Sequence, residues 1–383
     1  MKALKILKLG GSILKNTFSF VPKLLDEKKL VIVVSAPFGL TDELLKNDIN
    51  DVFLGNMYEK ISGFLGGDSD ELRKRVYEIR GEENIEKIIS HGERCTSLAL
   101  KIFLERKGFN AEERLPENIG LTLNMEEQID LSVSLKDSFN EEKIYIVPGF
   151  YAMYNGEVKT LGRGGSDYTA TALAYMLDVK EVILYKDVSS LFSCDPKMVK
   201  NSVPITKISY EIAEILSYFG AKIIHSQAIL PAKLKNIPVR ITGIKGGKYT
   251  LISKELDFGV FSMSFLENEV LISGTIEKIP RNVKYLDVFQ NKANVVVERE
   301  KIEEIKSYFS EFSVVEDLSL LVIGGDIDIG KKLLILNALY FHNHNFFVLK
   351  DGNNFLILLV KRERLKQIIH IIHNILYTKE EIV

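Results

Sequence analysis

The string Thr160-Leu161-Gly162-Arg163-Gly164-Gly165-Ser166-Asp167-Tyr168-Thr169-Ala170 puts an arginine and an aspartate on one glycine turn. The glycines let backbone approach a ligand closely. The residues after them open a helix, since Ala170, Leu173, Ala174 and Leu177 recur at the spacing of one buried face. Free N–H groups at a helix start attract anions, and a guanidinium beside them can grip a carboxylate in two places. Such a turn can build a site that orders opposite charges. A second candidate is Lys8-Leu9-Gly10-Gly11-Ser12, where a strand would aim Lys8 into a crevice and the Gly10 and Gly11 amides could face phosphate oxygens. The same residues also suit a tight strand–helix turn with a solvated lysine. The common nucleotide loops are absent: Gly247-Lys248 is followed by Tyr249, Gly330-Lys331 by Lys332, and no Gly-x-Gly-x-x-Gly follows the first strand.

Strand-like apolar runs would position these residues. They cover Leu4–Leu9, Leu30–Ala36, Ile144–Phe150, Glu181–Lys186 and Ile237–Thr242, with helical patterns such as Glu71–Ile89 and Thr96–Lys107 between them. Leu30-Val31-Ile32-Val33-Val34 is wholly apolar, as a strand covered on both faces must be. The alternation predicts an open α/β sheet, whose chemistry sits in loops at the carboxyl ends of strands. Lys8–Ser12 and Ser35–Thr41 both occupy such places. The texture changes at Ile244-Lys245-Gly246-Gly247-Lys248. Beyond it, strand Leu318–Gly324, helix Ile329–Phe341, strands Asn345–Lys350 and Asn354–Lys361 and helix Glu363–Tyr377 make most of a ferredoxin-like βαββαβ unit. Asp351-Gly352-Asn353 reads as the hairpin turn between its central strands, and Gly259–Val315 as a second, less regular copy.

With 383 residues the chain can hold two or three domains. A formal charge of −2 gives no support for a nucleic-acid surface. No apolar run reaches the roughly 18 residues that suggest a membrane span. The first residues intersperse lysine with apolar side chains, unlike a signal peptide, and two cysteines do not make a disulfide framework, so a cytoplasmic, reduced protein is expected.

Taken together, the motifs resemble those of aspartate kinases, in the amino acid kinase superfamily. Lys8–Ser12 resembles the opening lysine–glycine motif, and Ser35-Ala36-Pro37-Phe38-Gly39-Leu40-Thr41-Asp42 the Ser-Ala-x-x-Gly-x-Thr-Asn loop. Ser90-His91-Gly92-Glu93-Arg94 is similar to the Gly-Glu-Arg motif, and Phe219-Gly220-Ala221-Lys222-Ile223-Ile224-His225 to Phe-Gly-Ala-Lys-x-x-His. The resemblance implies a fold with an open, mostly parallel α/β sheet sandwiched by helices, followed by an α+β, ferredoxin-like ACT region. It implies a catalytic domain over residues 1–245 and a regulatory region over 246–383 with two ACT-like units, the first divergent. The implied reaction is transfer of the ATP γ-phosphoryl group to the β-carboxylate of L-aspartate, the entry to lysine, threonine and methionine synthesis. Magnesium would accompany the triphosphate, lysine or threonine would be an effector, and a homodimer would join through the ACT region.

Residue by residue, the resemblance places Arg163 on the α-carboxylate of aspartate and Glu93 near its amino group, with Ser35, Thr41 and Ser166 completing the contacts. Lys8 and Lys222 would face the transferring phosphoryl group, ordered by Asp167; a plain helix cap is the other reading of Asp167. Gly10, Gly11, Ser12, Asp187, Phe192 and Lys197 would lie on the nucleotide side with Lys8 and Lys222. The family's Thr-Asp-Val-x-Gly-x-Tyr becomes Lys186-Asp187-Val188-Ser189-Ser190-Leu191-Phe192, and Lys197 replaces an arginine. A lysine keeps the charge but loses the two-pronged grip. Two rivals remain open: another amino acid kinase, acting on acetylglutamate or glutamate, and a non-catalytic amino-acid sensor on the same scaffold. His342 and His344 lack the third and fourth ligands of a metal site, His370 and His373 share a helix face that packs or meets solvent, His225 is expected to support the site structurally, and nothing marks Cys194 as reactive.

Overall fold

The computed structural model describes residues 4–14, 17–25, 29–221 and 224–377. The chain forms two compact units, Met1–Leu191 with Ile223–Glu255 and Phe192–Lys222 with Leu256–Val383. This division is more interleaved than one cut after residue 245.

Among the described residues, the first unit contributes seven strands to its main sheet: β1 (Lys5–Leu9), β2 (Leu30–Val34), β3 (Ala111–Glu113), β4 (Ile144–Pro148), β5 (Val182–Tyr185), β6 (Val239–Thr242) and β7 (Tyr249–Ser253). Their order is β7-β6-β5-β1-β2-β4-β3, parallel throughout except for β7. All five residues of β2 are buried, which explains their uniform apolarity; each such side chain contributes about 1.5–3 kcal/mol by leaving water. Side-chain alternation divides β1 between the two helical layers. Leu7 and Leu9 join a core with Leu98, Ala99 and Ile102, on one face. Lys8 points to the other, toward the helix that follows the glycine turn.

Three helices matter to the site: α1 (Leu40–Lys46), α2 (Ile85–Arg106) and α3 (Gly165–Met176). The expected helix Glu71–Ile89 is not continuous. One helix ends at Tyr77, the chain turns at Gly81 with φ 73°, and Asn84 caps α2 by accepting from the amides of Glu86 and Lys87. α2 then runs unbroken through Ser90–Arg94 to Arg106.

The second unit carries α4 (Tyr210–Tyr218), β8 (Phe261–Ile276), β9 (Tyr285–Phe289), β10 (Lys292–Glu298), α5 (Ile302–Lys306), β11 (Phe309–Gly325), α6 (Ile329–Phe341), β12 (Phe346–Gly352), β13 (Phe355–Lys361) and α7 (Leu365–Tyr377). Its antiparallel sheet runs β9-β10-β8-β11-β13-β12. The long strands β8 and β11 serve two ACT-like halves. Their amino- and carboxyl-terminal parts respectively, Phe261–Glu267 and Leu318–Gly325, join β12, β13, α6 and α7; the remaining parts join β9, β10 and α5. Between the halves Asn268 and Asp317 take positive φ, 65° and 56°, and the register shifts. The hairpin turn between β12 and β13 falls on Asn353 and Asn354, one residue later than expected, with Gly352 still paired to Phe355.

Candidate active site

The glycine loop after β1 is held by its backbone. Gly10 donates to the Tyr185 carbonyl at the end of β5, and Phe38 donates to the Gly11 carbonyl. A β-carbon on Gly11 would stand 2.3 Å from the Ala36 carbonyl oxygen, so only glycine lets these two loops touch. Ser12 Oγ donates to Asp187 Oδ1 at 3.0 Å, tying the loop to the residues after β5.

At the start of α3, Gly164 has φ 78° and a β-carbon there would overlap His225. Gly149, just past β4, admits Ser166 with similar closeness. Asp167 is thereby set over the ends of β1 and β5, buried at 3% exposure. Lys8 Nζ lies 2.7 Å from its Oδ1 and Lys186 Nζ 2.6 Å from its Oδ2. Burial opposes ionisation of Asp167, but the two ammonium groups prevail and hold its carboxyl down to about 2. Burial lowers the Lys186 ammonium against the pull of Asp167, with Lys8 adding repulsion.

Glu93 projects from α2 toward the loop after β2, and its Oε1 accepts from the Ala36 amide at 2.9 Å. Gly92 permits this approach, because a β-carbon would meet that of Ala36 at 2.8 Å. Glu93 Oε2 is buried without a hydrogen-bond partner among the described residues. Burial pushes its carboxyl up to about 8 against the Ala36 amide and Lys8. The neighbouring Arg94 turns away to Glu117 and Tyr151, fixing α2 to the hairpin that strands Tyr151–Tyr154 and Glu157–Thr160 form after β4.

The remaining expected residues distribute as follows. Ser35 and Thr41 are half-buried on the loop after β2 and the first turn of α1. Arg163 is exposed on the glycine turn and makes no ion pair among the described residues. His225 packs on Gly164; burial lowers its imidazole, which feels the charges of Asp167, Arg163 and Lys186. Phe192 and Lys197 belong to the second unit, where the Phe192 carbonyl accepts from Ser262 and the Lys197 amide donates to Asp195. Lys222 lies outside the described residues. Among the described residues no group of three His, Cys, Asp or Glu side chains could hold a metal, and no helix is long and apolar enough to cross a membrane. A recess of about 520 Å³ lies elsewhere, on the sheet of the second unit beside Thr275, Phe289 and Phe312. Lys186 is the site residue that sequence reasoning missed. It stood out only as a departure from a motif, and its role appears once Asp167, nineteen positions earlier, is seen to hold both lysines.

The first unit thus sets a glycine loop and two lysines paired to Asp167 at the carboxyl end of a mostly parallel sheet. The profile of the Amino acid kinase family matches residues 3–243, and the chain belongs to that family. Its curated relatives include the bifunctional aspartokinase/homoserine dehydrogenase of Buchnera aphidicola, 27% identical over 98% of this chain and 56% of that protein. The chain thus spans about half the length of that relative. In fold it is similar to E. coli aspartokinase III in complex with aspartate and ADP (TM-score 0.81, 20% identity, 98% of this chain and 100% of that one). The same enzyme with lysine and aspartate gives a TM-score of 0.74 at 20% identity, over 98% and 100% of the two chains.

Proposed function

We propose that the chain is an aspartate kinase, transferring the γ-phosphoryl group of ATP to the β-carboxylate of L-aspartate to give 4-phospho-L-aspartate and ADP. The observation that carries this reading is the Lys8–Asp167–Lys186 cluster beside the glycine loop, with the unpartnered oxygen of Glu93 nearby in the same unit. A β-carboxylate, with a reference pKa of about 4, is already ionised at neutral pH and needs no strong base. The difficulty is to bring it against a polyanion. One carboxylate oxygen attacks the γ-phosphorus, the bond to the bridging oxygen breaks, and ADP leaves with that electron pair. Lysines and backbone amides offset the charge on the group in transfer. Magnesium enters with the triphosphate as part of the substrate.

Glu93 favours a free α-ammonium in the acceptor, because its second oxygen lacks a donor; an N-acetylated amine would bring no charge to it. Arg163 holds the α-carboxylate, and Ser35, Thr41 and Ser166 complete the acceptor contacts. Gly10, Gly11, Ser12 and Asp187 form the nucleotide side within the first unit. The assignments of Phe192, Lys197 and Lys222 to the nucleotide rest on the resemblance alone. We assign catalysis to residues 1–245 and regulation to 246–383, in a cytoplasmic enzyme of lysine, threonine and methionine synthesis. A solved structure of E. coli aspartokinase III contains lysine, which supports lysine as the first effector to try, with threonine as the second. A homodimer through the ACT region would cover Leu333, Tyr340 and Phe341 of α6 and Phe347 of the edge strand β12, all exposed.

Trapping the product with hydroxylamine tests the reaction. Aspartyl hydroxamate should form with magnesium-ATP and L-aspartate, and Arg163→Ala should raise the KM for aspartate by about 30- to 100-fold through loss of a charge-assisted pair. Product from acetylglutamate or glutamate instead of aspartate would move the chain to a sister activity, and none from any acceptor would favour a sensor. Glu93 adds a pH signature. Its carboxyl is neutral below about 8 in the ligand-free site, yet an ammonium needs the carboxylate. The KM for aspartate should therefore fall as pH rises toward that value, by up to about tenfold per unit, and Glu93→Gln should abolish the slope. A KM independent of pH in the unaltered enzyme would remove Glu93 from the ammonium.

A further inference from the structure

Lys186 stands where the aspartate kinase motif has a threonine, and its ammonium shares the Asp167 carboxylate with Lys8. The backbone there is already fixed: Lys186 donates to the Thr242 carbonyl of β6, and the preceding carbonyl accepts from Gly10. Asp167 already has Lys8 as a partner at 2.7 Å. A threonine at 186 would leave that pair neutral. The lysine instead places a second ammonium on the same carboxylate and makes the trio cationic by one charge.

Burial and the neighbouring Lys8 ammonium disfavour the charge on Lys186, and Asp167, which Lys186 shares with Lys8, opposes them. Asp187, next in the chain, adds a weaker attraction to Lys186 from an exposed position where it also accepts from Ser12. The Lys186 side chain keeps 16% of its surface accessible at the carboxyl end of β5, next to the glycine loop. Ligands of open α/β sheets bind at that end of the strands. A cation held there beside a phosphate-binding turn answers to an anion that arrives with substrate.

We infer that Lys186 is an additional phosphoryl-binding cation of this enzyme, contacting the γ-phosphoryl group of ATP together with Lys8 across Asp167. The inference rests on reading the crevice as a phosphoryl-transfer site but not on which acid accepts the group. Lys186 touches the group in transfer and does not touch the adenosine or the acceptor's ammonium. Its charge counts fully only when a third phosphate is present.

The test compares calorimetric affinities of the full-length protein for magnesium-ADP and for magnesium-AMP-PNP, a non-hydrolysed ATP analogue, in the unaltered chain, Lys186→Met, Lys186→Thr and Lys186→Arg. Lys186→Met and Lys186→Thr should weaken AMP-PNP by about tenfold or more while ADP changes less than about threefold, and kcat should fall by about 100-fold. Lys186→Arg, which keeps the charge, should recover most of the AMP-PNP affinity. Equal losses for both nucleotides, or no loss for either, would overturn the inference, as would retention of kcat within about threefold. A fall in thermal stability with both affinities lost and no recovery in Lys186→Arg would assign Lys186 a structural role and also overturn it. The acceptor reading fails separately, through absence of aspartyl hydroxamate from the unaltered protein, and the nucleotide comparison stays informative in that case.

Discussion

Lys8→Ala is expected to lower kcat by about a thousandfold while leaving the KM for aspartate within about threefold. The expectation comes from what the variant keeps. Asp167 retains Lys186 at 2.6 Å, so no buried carboxylate is stranded and the start of α3 stays in place. Glu93 and Arg163, the groups assigned to the acceptor, lie on other elements and are unaltered. What disappears is a cation whose ammonium sits 3.6 Å from the place of a Gly10 β-carbon, against the loop assigned to the phosphates. Its benefit grows as charge shifts onto the group in transfer, so the loss falls on kcat and on kcat/KM alike. Steady-state rates by hydroxamate trapping decide the matter, and near-normal turnover would take Lys8 out of catalysis.

Much of the first unit was legible because buried parallel strands have nothing to hide. The runs at Leu30–Val34 and Ile144–Pro148 are apolar on both faces, Lys5–Leu9 breaks its apolar run only with Lys5 and Lys8, and the expected bounds of all three match within about two residues. Glycine-rich turns were legible for a related reason, since Gly11, Gly92 and Gly164 each stand where a β-carbon would collide with backbone or a fixed side chain. Gly92 also shows how such a signal misleads. Glycine inside a helical pattern reads as a break, yet here it lies within α2 and lets Glu93 reach Ala36. The break that does occur, between Tyr77 and Ile85, depends on a cap at Asn84 that a purely apolar count overlooks.

The second unit was harder to read for a topological reason. Phe261–Ile276 and Phe309–Gly325 are each one strand shared by two ACT-like halves, and the residues Asn268 and Asp317 interrupt their alternation with positive φ. A reader of local pattern sees ends there and looks for a complete motif on each side. The half containing α6 and α7 instead takes its fourth strand, Phe261–Glu267, from earlier in the chain. Local pattern reveals strands, but it does not reveal which of them a neighbouring motif borrows. The same limit hid Lys186, whose meaning lies in a carboxylate from another element.

Asp167→Asn should be more damaging than removal of either lysine. The carboxylate is the shared counter-ion of two ammonium groups, and an amide removes that shared charge while leaving them close together. Removing one partner of a buried ion pair costs about 3–5 kcal/mol, and here two pairs go at once, so a loss at the upper end of that range is expected, with kcat reduced by at least about a thousandfold. Acid sensitivity should change too. Against the burial that opposes it, the pull of Lys186 and Lys8 holds the Asp167 carboxyl down to about 2 in the folded chain, below its ordinary 3.8. A carboxyl with a lowered folded value stabilises the fold above its unfolded value and loses that contribution as pH falls through the folded one, a difference of roughly 2 kcal/mol. Urea unfolding of the unaltered chain should weaken between about pH 4 and pH 2, and this part of the loss should be missing from Asp167→Asn. Adding Lys186→Met to Asp167→Asn removes one of the opposed cations, so stability should recover in part while turnover does not. Recovery of turnover with stability would mean that Asp167 acts only through the fold, and no recovery of either would mean that the two ammonium groups do not repel each other as their shared carboxylate implies.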